Sequence, residues 1–137
     1  MRALLRVGLA LSLAILGTVG LSAAQDQLTK RDQQGPVTVV VTLMPPAAAG
    51  APIKAKIVLD THSVGLDGIA LDRAVVMRVD GAEVPPTAVE EATGGGHHRE
   101  AVLVFPPLAQ PGPVRIVVRN VGGVAERAFS WELPPAR

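Results

Sequence analysis

The chain of 137 residues contains no cysteine and no tyrosine, and its aromatic complement is one Trp and two Phe. Without cysteine there is no disulfide scaffold, no thiolate metal site, no cysteine nucleophile and no lipobox position for a lipid anchor. A fold must then hold by packing and hydrogen bonding alone. Excess charge is also missing. Thirteen basic and 12 acidic residues leave a formal net charge of +1, and no basic run marks the chain as a nucleic-acid binder. Long helices are excluded for most of the sequence, because all 12 prolines follow residue 35 and cut it into short runs.

Apolar residues make up 48% of the chain, but 16 of them fall in the first 24 positions. Met1 to Ala24 reads as a secretory signal: Arg2 and Arg6 form a basic start, Val7 to Val19 an apolar stretch, and Ser22-Ala23-Ala24 a small-residue cleavage site before Gln25. A membrane anchor needs about 20 apolar residues to cross the hydrocarbon. This run is shorter and carries Gly8, Gly17 and Gly20. Cleavage is expected after Ala24, leaving a periplasmic or secreted protein with no stable membrane insertion. Removing Arg2 and Arg6 turns the net charge to −1.

Gln25 to Gly35 is polar and aperiodic and is expected to be a flexible leader, with the domain proper at residues 36–137. Beyond it, valine-rich runs alternate with Gly and Pro clusters. Strands are expected at Val37 to Leu43, Ile53 to Leu59, Ala74 to Val79, Ala88 to Glu91, Glu100 to Phe105, Val114 to Asn120 and Glu126 to Leu133. Several alternate as half-buried strands do. Ile53, Ala55, Ile57 and Leu59 share one face while Lys54 and Lys56 share the other, and Phe129, Trp131 and Leu133 line up near the end. Seven short strands predict an all-β, immunoglobulin-like or fibronectin-type-III-like antiparallel sandwich. Asp80-Gly81 and Asn120 to Gly123 read as hairpin turns. The connection from Thr61 to Arg73 carries enough apolar residues to fold over the rim with a short helical turn.

All three histidines fall in two connections. His62 lies in Leu59-Asp60-Thr61-His62-Ser63-Val64, and His97 and His98 lie in Gly94-Gly95-Gly96-His97-His98-Arg99-Glu100. In an immunoglobulin-like sandwich the second and fifth strands are antiparallel neighbours, so these segments are expected at one end, beside the last hairpin. Imidazoles with a carboxylate such as Asp60 suit Cu(II) or Zn(II). Adjacent histidines on an extended segment face opposite ways, so only one of His97 and His98 is expected to join His62. Thr61, Ser63, Arg99 and Glu100 are the neighbouring binding candidates, with Arg99 and the histidines meeting an acidic envelope protein partner. The competing reading is plain structure, with Thr61 and His62 capping their loop. Ser63 invites comparison with a hydrolase, yet no Gly-x-Ser-x-Gly elbow surrounds it, and Gly94-Gly95-Gly96 lacks the Lys and Ser or Thr of a phosphate loop. The expected function is a non-enzymatic binding module.

The two histidine segments, followed by Val102-Leu103-Val104-Phe105-Pro106, resemble those of a group of small exported bacterial proteins. The resemblance spans about the middle half of the chain. It implies that the segments belong together and carries no activity. In fold pattern alone the chain also resembles the small periplasmic copper-carrier sandwiches, but Gln25 stands where their mature N-terminus supplies a histidine ligand.

Overall fold

The structure is a computed structural model and describes residues 26–134. The expected signal segment, Met1 to Ala24, lies outside the described residues. Residues 26–28 are helical, and after them come nine strands and a further helical turn: β1 (Thr29–Asp32), β2 (Val37–Met44), β3 (Ile53–Thr61), α1 (Leu71–Ala74), β4 (Val75–Val79), β5 (Ala82–Val84), β6 (Ala88–Gly95), β7 (His98–Phe105), β8 (Gly112–Val121) and β9 (Val124–Leu133). They form two sheets, β1-β2-β3-β7-β6 and β5-β4-β8-β9, with every pairing antiparallel. Setting β1 and β5 aside, the first, second, fifth and fourth remaining strands share one sheet and the third, sixth and seventh the other. That is the strand distribution of an immunoglobulin-type Greek key.

Period-two patterning explains the core. Alternate residues of β2 (Val37, Val39, Val41, Leu43) and β3 (Ile53, Ala55, Ile57, Leu59) are fully or almost fully buried, and they meet Val114, Ile116 and Val118 of β8 and Phe129, Trp131 and Leu133 of β9. Burying each such aliphatic side chain contributes about 1.5–3 kcal/mol. The run Ala101 to Phe105 is buried on both faces of β7. Its outward residues Val102 and Val104 sit directly opposite Lys56 and Lys54 of β3. Long lysine stems cover apolar surface of this kind while their ammonium groups stay wet, here ion-paired with Glu100 at 2.9 Å and Glu90 at 2.7 Å.

Three features depart from the sequence reading. The expected leader contains β1, whose residues pair with Val39 to Thr42 of β2, so the sandwich begins at Thr29 and not at Pro36. β5 was not foreseen as a strand; it follows the Asp80-Gly81 turn and is stopped after three residues by Pro85-Pro86. β6 runs on to Gly95, with a register shift between Glu90 and Thr93. It pairs with β7 in the first sheet. The connection after β3 folds over the rim as its composition implied, with Leu66 and Leu71 buried and Val64 and Ile69 packed on the core. Its helical turn, α1, takes Ala74 out of the following strand. Among the described residues no helix is long and apolar enough to cross a membrane.

Candidate functional site

The second and fifth expected strands, β3 and β7, are antiparallel neighbours, with Asp60 directly opposite His98. Four connections therefore meet at one end of the sandwich: the β1–β2 turn, the long β3–β4 connection, the β6–β7 turn and the β8–β9 hairpin. Backbone bonds join the two histidine segments. Thr61 N–H donates to the His97 carbonyl at 3.0 Å, and Leu66 N–H donates to the Gly96 carbonyl at 2.8 Å. The Asp67 carboxylate accepts from Gly96 N–H at 2.9 Å. The glycines permit close approach here: a Cβ on Gly95 would come within 3.0 Å of Asp67 Oδ1, and the β6–β7 turn is itself tight. Gly94 lies at φ +83°, and a Cβ there would fall on the His98 carbonyl and within 3.2 Å of Arg99 Cα.

Each candidate side chain now has a place. Thr61 is buried, and its hydroxyl donates to the Pro36 carbonyl at 2.7 Å while accepting from the N–H groups of Ser63 and Val64 at 3.3 and 3.4 Å. It ties the β3–β4 connection to the start of β2. Arg99, half-buried, donates to the carbonyls of Leu66 and Ile69, the former at 2.9 Å. It shares the inward side of β7 with Ala101, Leu103 and Phe105, so it is a loop staple and not the outward contact expected for an acidic partner. Glu100 is paired with Lys56, and that ammonium beside it holds its carboxyl below the ordinary glutamate range.

The exposed set is His62, Ser63, His97, and the pair formed by His98 Nδ1 and Asp60 Oδ1 at 2.5 Å. His98 and Asp60 are 54% and 52% exposed as side chains, so water competes for both partners. No side-chain hydrogen bond or ion pair joins His62 or His97 to that pair among the described residues, and no group of three or more His, Asp or Glu side chains there is gathered to hold an ion. The donor set assembled is one imidazole and one carboxylate. Cu(II) and Zn(II) sites need three or four protein ligands. The residues as placed do not fit such a centre.

The same end holds a residue the sequence reading overlooked. Arg127 of β9 is 2% exposed and points inward. Its guanidinium pairs with Asp32 at 3.0 Å and donates to the carbonyls of Val121 at 3.0 Å, Gln34 at 2.6 Å and Val37 at 3.2 Å. Desolvation pushes the pKa of Asp32 up. The Gln34 backbone N–H and side-chain amide and the Arg127 charge outweigh it and leave the pKa lowered. The clue was in the period: Arg127 falls on the face of Phe129, Trp131 and Leu133, where a charge requires a buried partner.

No protein-family profile, curated protein or solved structure matches the chain.

Proposed function

We propose that the chain is an exported, non-enzymatic binding module whose histidine-bearing end docks an envelope protein, without a metal. The observation that carries this reading is the division of labour at that end. Arg99 and Asp67 are spent on internal hydrogen bonds that fuse the two segments, and Thr61 on a bond that ties them to the chain before β2, while His62, Ser63 and His97 extend outward from that fixed backbone. Side chains presented on a pre-ordered surface lose less entropy on binding than the same groups on a loose loop. The acidic character of the rim, with Asp60, Asp67 and Asp72 against Arg73, favours a partner surface that is neutral or basic rather than acidic.

The test is quantitative capture of partners from an envelope extract by the wild type, by His62→Ala with His97→Ala, and by a control variant at the opposite end of the sandwich, Ala48→Ser. Loss of the same partner only from the histidine variant is the expected result; unchanged capture by all three contradicts the reading. Calorimetric titration with Cu(II) and Zn(II) addresses the metal-bound alternative. Histidine-dependent binding tighter than about 10 µM, or about 7 kcal/mol, would restore it.

A further inference from the structure

The two sheets have four edge strands, and three of them are protected against pairing with another chain. β1 is four residues long with Lys30, Arg31 and Asp32 in sequence. β5 has three residues. β6 is interrupted by its register shift at Glu90 to Thr93, with Glu91 in the left-handed region at φ +50°. Short length, charge and bulges are the usual devices that blunt a sheet edge. β9 differs. It keeps one register with β8 over its ten residues, has no proline and no bulge, and among the described residues no strand pairs with its outer edge. Its single inward charge, Arg127, protects only the first part. From Ala128 to Leu133 no strand among the described residues pairs with the edge, and the segment before β1 lies alongside, held by Trp131 Nε1 donating to the Leu28 carbonyl at 3.1 Å.

Beside that stretch runs a groove of about 490 Å³ between β9 and the segment leading into β1. Asp26, Lys30, Ser130, Trp131 and Glu132 line it. Lys30 is its single base and stands over the Trp131 ring, 5.5 Å from the centroid. Glu132 makes no ion pair among the described residues; on the same outer face Ala128 is small, and Ser130 accepts from Arg115 Nε at 3.1 Å on its β8 side. The groove is acidic, extended and bounded by unpaired backbone.

We propose that the edge of β9 from Ala128 to Leu133 accepts an extended, basic segment of a partner protein as an added β-strand. Main-chain hydrogen bonds supply the pairing, and Glu132 and Asp26 select for Lys or Arg. This surface is separate from the histidine end and does not depend on it.

Trp131 is the sole tryptophan of the chain and reports on the groove directly. A short peptide alternating Thr and Lys is the probe, with its Thr and Glu counterpart and a backbone N-methylated Thr and Lys version as comparisons. The expected result is a change in Trp131 emission, slowed amide exchange at alternate residues of β9, and no binding of the N-methylated peptide. Glu132→Lys should weaken the interaction about fivefold, as loss of a partly exposed ion pair does, while Glu90→Lys on β6 leaves it unchanged. Protection appearing on β1 or β6 instead of β9 would overturn the proposal. So would equal binding of the Glu or N-methylated peptides, no binding at millimolar peptide, or self-association through β9 that excludes the probe.

Discussion

A guanidinium sealed inside a small sandwich is tolerated only while its donors are occupied, and Arg127 meets that condition with one carboxylate and three backbone carbonyls. Replacing it with Ala removes a donor from three backbone carbonyls and the buried charge partner from Asp32, which keeps its bonds from Gln34. The expected cost is about 3 kcal/mol, read as a drop in the denaturation midpoint at constant m-value. Its partner Asp32 adds a pH signature. A carboxyl with a folded-state pKa below the unfolded value near 3.8 stabilises the fold fully above that value and loses its contribution as pH falls through the folded pKa. Wild type should therefore lose stability relative to Asp32→Asn below about pH 4, with the gap between them constant at neutral pH. On the opposite sheet, Glu83 accepts from Arg119 and Arg78, which bring its pKa to about 2. A carboxyl-carbon NMR titration of Glu83 should move with its midpoint near 2; a midpoint near the ordinary 4.5 would show that the network is not formed in solution. That network is exposed, so salt should raise the midpoint.

Among the elements, the β6–β7 turn and the β3–β4 connection stand or fall together. Gly94 and Gly96 both have positive φ, but only Gly94 is hemmed in, by the backbone of His98 and Arg99. Gly96→Ala should cost about 1–2 kcal/mol, the strain of a left-handed alanine. Gly94→Ala should cost more, because backbone must move as well. Thermal melts of the two variants check the order, and equal losses would contradict the packing described. Arg99→Ala takes the guanidinium away from the carbonyls of Leu66 and Ile69 and leaves the Leu66 carbonyl with only the Ile69 N–H at 3.2 Å. Amide exchange at Leu66, bonded to Gly96, is expected to speed up while exchange in β2 and β8 stays as in wild type. The strands themselves were legible because their apolar residues alternate and because proline and glycine mark the turns. β1 was not. Thr29 to Asp32 has no apolar pattern, and what fixes it lies far away in sequence: Arg127 on Asp32, and Trp131 Nε1 donating to the Leu28 carbonyl at 3.1 Å. Side-chain partners about a hundred residues off leave no local trace.

For the molecule as a whole, few aromatics and no cysteine mean a core mainly of valine, leucine and isoleucine, closed at the histidine-bearing end by polar clamps. Thr61, Arg99 and Arg127 each tie one end connection to another. The topology that brings the histidine segments together could be read from strand order, because β3 and β7 are obligatory neighbours in this type of sandwich. The direction of each side chain could not. His98 turned to Asp60 across the strands and Arg99 turned inward to the carbonyls of Leu66 and Ile69, while neighbouring residues on a strand alternate faces. The interaction surface proposed for this end can be tested at the positions that define it. A photo-crosslinking residue placed at position 62, at 97, or at 48 on the opposite end reports which end meets a partner inside the envelope. Positions 62 and 97 should trap the same protein and position 48 should not. Equal trapping from all three positions, or none from 62 and 97, would contradict the account.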